Sequence, residues 1–295
     1  AEHIFYVTMN SSHSLVKEHI RSKGRALVLE KGMNGDMITI YDNETHIPVL
    51  WSHLIPASIE GKALHNVQNA MFAAAMAYSF NIDLDNIRHG LRTFDTNFFQ
   101  APGRTNVFNK HPFKVILDYA HNPAAFQAIA DLVDKLDVSG RRIVVVASPG
   151  DRRNEDIVEA SNILSGHFDY YFCKDDDNLR KRKPGEVPKM LQQGFINNGV
   201  EASNISLIPD EVEAVDSALN MAKQGDLVMI FGDNIKRSWK QIIYFNNSTY
   251  EEQTTNTVLD EETKAGTGEI IYKDDTLIRD ERGVRLSRNE EIDND

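Results

Sequence analysis

The sequence predicts an α/β protein in which a doubly wound, mostly parallel sheet forms the later part of the folded chain. From residue 113 onward, apolar strands alternate with amphipathic helices, a pattern typical of strands joined by helical crossovers. One strand, RRIVVVAS at 141–148, is almost continuously apolar after its two arginines, as expected of a parallel strand covered on both faces. At roughly 100–200 residues per domain, the 295 residues suggest two domains.

The first part of the chain, residues 1–97, combines short strands with three helices. The strands are predicted at HIFYVT (3–8), ALVLEK (26–31), DMITIYD (36–42) and HIPVLWS (46–52). The helices are predicted at 14–22, 66–80 and 83–94. Asp83 is the expected N-cap of the third helix. The second helix is rich in Ala and Met and must be buried, so Met71 and Met76 are expected in the core. The segment FFQAPGRT (98–105) breaks this pattern and is the predicted domain junction.

The second part, residues 98–245, repeats strand and helix. The strands are predicted at 113–120, 141–148, 169–173, 205–209 and 226–232. The helices are predicted at 123–136, 155–164, 185–197 and 210–223, and a final helix ends at Tyr244. Pro123 fits the first position of a helix. In such a sheet, ligands are expected at the loops that follow the carboxyl ends of the strands.

The remaining residues, 246–295, form a polar segment that is predicted to be a flexible acidic tail. Residues 251–295 hold 14 acidic and 6 basic side chains, so they carry −8 of the net charge of −12 and leave only −4 for the other residues. Within the tail, GEIIYKDDTLI (268–278) is expected to pair as a short strand or hairpin. An acidic chain gives no support to nucleic-acid binding through phosphate neutralisation.

Two features of the composition indicate where in the cell the protein is expected. No apolar run approaches the roughly 18 residues that a membrane-spanning helix needs, so no membrane association is expected. The single cysteine, Cys173, excludes an intramolecular disulfide and a multi-cysteine metal site. It is expected to be inert core packing in a reducing compartment, the cytoplasm.

Polar side chains follow three successive predicted strands of the second part. These residues are Asp118, His121 and Asn122 after the first strand, Gly150 to Arg153 after the second, and Asp177, Asn178 and Arg180 after the third. Arginines and helix N-termini both favour anions, so the three loops together predict an anion-handling rim. Structural alternatives remain open for single members: Asn122 and Asn154 could cap helices, and the charged run from Lys174 to Lys183 could be a solvated loop. His65, before the Ala-rich helix, could be a structural histidine.

Four runs, in this order and spacing, resemble the Mur ligase family. They are GKALHNVQNAMFAAAMAY (61–78), APGRTNV (101–107), LDYAHNP (117–123) and SPGDRR (148–153). The family includes the peptidoglycan amino-acid ligases and folylpolyglutamate synthetase. Its members phosphorylate a carboxylate with ATP, and an amine then attacks the acyl phosphate to form an amide. The resemblance covers roughly residues 1–245 and is strongest to a branch that adds amino acids to a growing polymer.

The resemblance implies a domain assignment and a set of site residues. Residues 1–97 would be the later part of the central ATPase domain, and residues 98–245 the Rossmann-like C-terminal domain. Asn69 would contact adenine beside His65 and Asn66, Arg104 would meet the phosphates, and Asp118 would hold ribose or orient the cleft. The implied sets are: ATP-binding, His65, Asn66, Asn69, Arg104 and Asp118; catalytic, Arg104, Asp118 and His121; amino-acid substrate, Asp151, Arg152, Asp177, Asn178 and Arg180.

The same resemblance implies arginine as the incoming amino acid and aspartyl carboxylates of a polymer as the acceptor. Acidic residues among Asp175 to Asp177 would then suit its guanidinium group. Leu179 stands where one subgroup of peptidoglycan ligases carries Pro, so the loop departs from the pattern of that subgroup. Two alternatives stay open: a ligase of the peptidoglycan or folylpolyglutamate type, and a non-catalytic module for assembly or nucleotide sensing.

One family motif is missing. No G-x-x-x-x-G-K-[ST] occurs in the 295 residues, since Gly61-Lys62 is followed by Ala63. We therefore expect ATP and Mg²⁺ to be held mainly by upstream residues or by a partner chain that carries the phosphate-binding loop, and the chain alone to be inactive. No metal site is expected from its own residues. The expected partners are the amino acid, the polymer and possible further copies of the chain.

Overall fold

The structure is a computed structural model that describes residues 4–245, 276–280 and 283–287. The chain forms two compact units, Ala1–Phe245 and Asn246–Asp295. In the second unit, β11 (Thr276–Asp280) and β12 (Gly283–Ser287) pair as an antiparallel ladder. The predicted strand at 268–278 lies mostly outside the described residues, as does most of the predicted flexible tail.

The first sheet of the larger unit has four strands in the order β1-β2-β3-β4. Its strands are β1 (Phe5–Thr8), β2 (Arg25–Gly32), β3 (Gly35–Asp42) and β4 (Thr45–Trp51). The associated helices are α1 (Ser14–Arg21), α2 (Leu64–Ser79) and α3 (Leu84–Thr93), with short 3-10 turns at Ser52–Leu54 and Pro56–Ser58. β1 runs parallel to β2, and β2, β3 and β4 form an antiparallel meander. Apolar residues of α2 and α3, among them Met71 and Ile87, pack on Leu27, Ile38 and Ile40 of this sheet.

The second sheet has six strands in the order β5-β6-β10-β7-β8-β9. Its strands are β5 (Asn106–Phe108), β6 (Lys114–Asp118), β7 (Arg142–Val146), β8 (Tyr170–Cys173), β9 (Ile205–Leu207) and β10 (Leu227–Phe231). All neighbouring strands are parallel except β5, which pairs antiparallel to β6. β10 lies between β6 and β7, so the strand order reverses there. A reversal of this kind opens a crevice at the carboxyl ends of the strands.

Helices cover both faces of the second sheet. They are α4 (Pro123–Lys135), α5 (Asn154–Leu164), α6 (Glu186–Asn197), α7 (Glu211–Met221) and α8 (Ile235–Tyr244), with a 3-10 turn at Ala202–Asn204. One face is packed by α4, α5 and α6 through residues such as Phe126 and Leu191. The other face is packed by α7 and α8 through residues such as Leu219 and Trp239. The predicted α/β class and the doubly wound parallel sheet are confirmed.

Local details confirm some expectations and correct others. Met71 is buried as predicted, but Met76 is 58% exposed on α2. Asp83 occupies the N-cap position of α3, yet its side chain makes no capping hydrogen bond. Asn154 is the first residue of α5 and not its cap, whereas the side chain of Asn122 caps α4 by accepting from the Ala125 amide at 3.0 Å. The strand β5 was not predicted, because three edge residues carry too little periodicity. The domain boundary at 97/98 stays a prediction.

Candidate functional site

A cavity of about 610 Å³ lies between α2, α3 and the segment that leads to Arg104. Small side chains leave this space open: Ala57, Ala70, Ala73, Ala74, Ala77 and Gly90 all line it. Larger apolar groups, including Ile87 and Phe94, complete its walls. Asn66, Asn69, Asn86, Thr96 and Arg104 add the polar groups. An apolar space with a few convergent polar groups is typical of a small-molecule site, and we call it the alanine cavity.

Local hydrogen bonds orient the polar end of α2. The side-chain nitrogen of Asn66 donates to the backbone carbonyl of Ala57 at 2.9 Å, and the side-chain nitrogen of Asn69 donates to the Asn66 side-chain oxygen at 3.4 Å. The side-chain oxygen of Asn69 makes no hydrogen bond with any residue between 4 and 245, so it can accept from a ligand. The structure thus brings three of the predicted nucleotide residues, Asn66, Asn69 and Arg104, to one cavity.

His65 does not line this cavity. Its Nε2 is 3.4 Å from the hydroxyl oxygen of Thr105, and its buried Nδ1 has no hydrogen-bond partner among the residues the structure describes. Burial lowers the pKa of His65, although the carboxylate of Asp118 opposes the shift. Burial therefore favours the neutral imidazole, and the role of His65 stays a prediction.

Asp118, at the end of β6, is committed to the chain around it. One carboxylate oxygen accepts from the amide and hydroxyl of Thr105 at 2.7 and 3.0 Å, and the other accepts from the Ala120 amide at 2.8 Å. Burial raises the pKa of Asp118, and the hydrogen bonds only partly offset that effect. We call these contacts the Thr105–Asp118 junction. They tie the residue after Arg104 to the end of β6, which favours an orienting role for Asp118 over direct ribose binding.

A crevice of about 90 Å³ opens where the carboxyl ends of β6, β10, β7 and β8 meet. Its walls come from the loops after these strands: Tyr119, Ala120, His121, Ala147, Pro149, Arg152, Asp176, Arg180, Phe231, Gly232 and Asp233. A second recess of about 170 Å³ shares His121 and Arg152 with it. The crevice therefore combines guanidinium groups, carboxylates and an imidazole at the edge that the sequence predicted.

His121 is oriented by its own backbone neighbourhood. Its Nδ1 lies 2.9 Å from the carbonyl oxygen of Tyr119. A carbonyl can only accept, so Nδ1 carries the proton and Nε2 is the basic nitrogen of the neutral ring. The structure thus places His121 on the crevice wall with a defined tautomer.

The loop after β8 contains the predicted amino-acid residues, but their side chains point in different directions. Asp177 accepts two hydrogen bonds from the guanidinium of Arg237 at 2.9 and 2.7 Å, so its carboxylate faces α8 and not the crevice. The Asn178 oxygen accepts from the Arg180 amide at 2.9 Å, which closes a local turn. Asp151 pairs with Arg180 at 2.8 Å on the surface. Of the five predicted amino-acid residues, Arg152 and Arg180 line the crevice.

Glu211, the first residue of α7, holds this edge of the sheet together and was not predicted. Its buried carboxylate lies 2.8 Å from the buried ammonium of Lys174 and accepts from Arg237 and Ser238 at 2.9 and 3.0 Å. It also accepts from the backbone amides of residues 233 and 234 at 2.7 and 3.1 Å. Burial opposes ionisation, yet Lys174 and these hydrogen bonds lower the pKa of Glu211 to about 2. In the sequence, Glu211 is indistinguishable from an ordinary acidic residue of a first helical turn.

Two further features are absent from the part of the chain that the structure describes. Within the described ranges, no group of three or more His, Cys, Asp or Glu side chains is arranged to hold a metal ion. None of the helices between residues 4 and 245 combines the length and apolarity that crossing a membrane requires.

Comparison with known proteins gives consistent similarities. Residues 103–234 match the family described as Mur ligase, glutamate ligase domain. The chain is 34% identical over 271 residues to cyanophycin synthetase from Nostoc sp. (strain PCC 7120), which covers 91% of this chain and 29% of that protein. It is 30% identical over 199 residues to UDP-N-acetylmuramyl-tripeptide synthetase from Borreliella burgdorferi, covering 66% of this chain and 37% of that protein. The chain thus spans under a third of the cyanophycin synthetase it matches.

Solved structures share the fold. FolC from E. coli in complex with ADP aligns with a TM-score of 0.55 at 20% identity, covering 80% of this chain and 52% of that one. MurF from Acinetobacter baumannii aligns with a TM-score of 0.52 at 16% identity, covering 81% and 51%. At these identities the likeness concerns the fold.

Proposed function

Because this chain belongs to the Mur ligase family, we propose that it supplies the nucleotide-facing helix and the amino-acid-facing domain of an ATP-dependent carbon–nitrogen ligase. In this proposal the alanine cavity receives the adenine, and the crevice receives the incoming amino acid. The assignment of the family from the four sequence runs is confirmed, and its ligase members support a ligase chemistry. The substrates, the nucleotide and the cytoplasmic location remain proposals for this chain.

The observation that carries the proposal is the Thr105–Asp118 junction. Arg104 lines the alanine cavity, and the next residue is bonded to Asp118 at the end of β6, whose following loop lines the crevice. The two candidate ligand sites are therefore joined through the buried carboxylate of Asp118, because Thr105 follows Arg104 of one site and Tyr119 of the other site follows Asp118. An amide ligase needs such an arrangement, because the activated carboxylate and the amine must meet in a fixed geometry.

The side chains present fit the assigned groups. The apolar walls of the alanine cavity suit a planar base, and the free side-chain oxygen of Asn69 can accept from an exocyclic amine. The guanidinium of Arg104 suits a phosphate chain. Arg152 and Arg180 suit the carboxylate of an amino acid, and the basic nitrogen of His121 can accept a proton from its amine.

We propose arginine as the amino acid and an aspartyl side chain of a polymer as the acceptor. The relatives that match most of this chain are named cyanophycin synthetases, and the four sequence runs point to the same branch. Phosphoryl transfer from ATP to the acceptor carboxylate would give an acyl phosphate. Attack by the amine would form the C–N bond, release phosphate and leave one proton for a base.

The phosphate-cradling motif is absent from the 295 residues, and the described residues offer no carboxylate cluster for Mg²⁺. We therefore propose that these groups come from a P-loop-bearing region upstream or on a partner chain, and that this polypeptide alone does not turn over ATP. The missing motif also favours a second candidate, a non-catalytic module that senses nucleotide. A ligase of peptidoglycan or folylpolyglutamate type would differ in the amino acid that the crevice accepts.

Equilibrium binding of a fluorescent ADP analogue to the 295-residue chain tests the nucleotide assignment. We expect Arg104→Ala to weaken binding about tenfold or more, since a hydrogen bond to a charged group is worth roughly 1.5–3 kcal/mol. Arg92→Ala removes the same charge from an exposed position of α3 outside the cavity and is the matched control. Equal affinity of the two variants would refute the assignment.

An ATP-consumption assay with aspartate-containing primer and arginine separates the two candidate functions. We expect no turnover by the chain alone and arginine-dependent turnover when a P-loop-bearing region is supplied. Nucleotide binding without turnover in both cases would favour the sensing module. Turnover by the 295-residue chain alone would overturn the proposed dependence on a second region.

A further inference from the structure

Thr105, the residue after Arg104, has an unusual backbone conformation. Its φ angle is 51°, which lies in the left-handed region that favours glycine. Threonine is branched at Cβ, and a branched residue in this region is a steric outlier. Such a conformation is costly and persists only where the surrounding contacts enforce it. The contacts of Thr105 must therefore hold its backbone in place.

Those contacts come from two other elements of the fold. The backbone amide and the hydroxyl of Thr105 both donate to one carboxylate oxygen of Asp118, at the end of β6. Thr105 is 2% exposed and Asp118 is 7% exposed, so these hydrogen bonds to a carboxylate are shielded from water. On α2, the Nε2 of His65 lies 3.4 Å from the same Thr105 hydroxyl oxygen. Thr105 is thus held from the second sheet and from α2 together.

Asn106 holds the same segment through a second set of hydrogen bonds. Its side chain is completely buried, and its nitrogen donates to the backbone carbonyls of Thr96 and Ala101, both at 2.8 Å. Its side-chain oxygen accepts from the Gly103 amide at 2.7 Å. The Arg104 amide also donates to the Ala101 carbonyl, at 3.1 Å. The backbone on both sides of Arg104 is therefore fixed.

The side chain of Arg104 is the exception in this fixed segment. Gly103 and Thr105 are buried, whereas Arg104 is exposed and lines the alanine cavity. Its guanidinium forms no ion pair and no hydrogen bond with any residue between 4 and 245. Fixing the backbone in advance lowers the entropy that a ligand must overcome in ordering such a long side chain. A fixed backbone with a free guanidinium matches an anionic ligand group at the cavity.

We propose that Thr105 is a positioning residue, whose enforced left-handed backbone directs the Arg104 guanidinium to the phosphate groups of a nucleotide in the alanine cavity. Asn106 supports the same arrangement from the other side. This inference rests on the proposed function of the alanine cavity as the nucleotide site. It assigns the Thr105 hydroxyl to recognition of the phosphates and not to binding of the base.

Calorimetric titration of the 295-residue chain with ADP and with adenosine tests the inference, since adenosine has the same base and sugar without phosphates. We expect the wild-type chain to prefer ADP by about tenfold or more. Thr105→Val keeps the branched shape but removes the hydroxyl. It should weaken ADP binding about fivefold and leave adenosine affinity within about twofold.

Two variants serve as controls for the loss of the hydroxyl. Thr105→Ser keeps the hydroxyl and should bind ADP within about twofold of the wild-type affinity. Thr93→Val removes a hydroxyl from an exposed position of α3 outside the cavity, so it should change neither affinity.

A double-mutant cycle tests whether Thr105 acts through Arg104. In the Arg104→Ala background, Thr105→Val should change ADP affinity by no more than about twofold, because the side chain that Thr105 directs is gone. A further fivefold loss in that background would overturn the inference.

The remaining outcomes separate the inference from the proposed function. A proportional loss of ADP and adenosine affinity in Thr105→Val, or no loss of either, would overturn the role of Thr105 while the nucleotide site remained. Binding of neither ligand by the wild-type chain would remove the nucleotide site and the inference with it. Equal wild-type affinities for ADP and adenosine would overturn the phosphate role of Arg104 without any variant. Thr105→Ala is the second variant and gives the same comparison should Thr105→Val fail to fold.

Discussion

Replacing Glu211 with Gln should test whether the buried ion network holds the carboxyl edge of the second sheet. The substitution keeps the size of the side chain but removes its charge, which leaves the buried ammonium of Lys174 without a counter-ion. The pKa of Glu211 is lowered from 4.5 to about 2 in the folded protein. At 1.36 kcal/mol per pKa unit, this corresponds to about 3 kcal/mol of stability at neutral pH. Breaking a buried pair by removing one partner costs a similar 3–5 kcal/mol or so.

The pH dependence follows from the direction of the shift. A lowered folded-state pKa means that the unfolded chain binds the proton more tightly, so the stabilisation is complete above about pH 4.5 and is lost as the pH falls towards 2. We expect the gap between wild type and Glu211→Gln to be about 3 kcal/mol at pH 7 and to fall to about half of that at pH 3.

Urea unfolding of both proteins at the two pH values measures this gap. Glu213→Gln, in the same helical turn but exposed, is the matched control and should cost only about 0.3–1 kcal/mol through the helix dipole. Adding Lys174→Met to Glu211→Gln should recover part of the loss, because it removes the unpaired charge. A loss below about 1 kcal/mol at pH 7, or a gap that does not change with pH, would refute the reasoning.

Three further substitutions or probes test local features. Asn122→Ala should lower the free energy of unfolding by about 1 kcal/mol in a denaturant titration, because it removes the α4 cap. Asp83→Ala should change the free energy of unfolding by no more than about 0.5 kcal/mol, because its side chain makes no capping hydrogen bond. Equal losses in the two variants would contradict the capping assignment. Gly150→Ala places a Cβ 2.3 Å from the backbone carbonyl oxygen of Leu179. The two crevice loops must then move apart, so arginine binding should weaken. Unchanged affinity for arginine and an unchanged melting temperature would show that the close approach of the loops is unimportant. Burial raises the pKa of the Cys173 thiol, so a thiol reagent should label it only after denaturation, and rapid labelling of the native chain would argue against its buried position.

Most of the secondary structure followed from the sequence because apolar periodicity and turn residues are local signals. The strands β6, β7 and β10 each contain a run of at least three buried apolar residues, and both faces of the sheet are covered by helices. The edge strand β5 was missed because three residues cannot show a period. Met76 was misplaced because a pattern of apolar residues on α2 does not reveal which of them a neighbour covers.

Part of the candidate site was also predictable from local sequence signals, and part of it was not. Sequence alone identified the loops, because a parallel sheet brings the carboxyl ends of its strands to one edge, and it drew His121, Arg152 and Arg180 from them. Arg104 came from the resemblance of the run at 101–107. Sequence alone could not distinguish three adjacent aspartates, since all have the same side chain and nearly the same position. Their different partners are residues that are distant in the chain, such as Arg237 at the start of α8.

What the sequence by itself determined is the family, the alternation of strands and helices, and the loops that carry polar side chains, because each depends on residues near one another in the chain. Only the tertiary structure decided that Asp118 is bound to Thr105, that Asp177 faces α8, and that Asp176 lines the crevice. The physical reason is that a carboxylate's role is set by the donors around it, and here folding brings those donors from other elements.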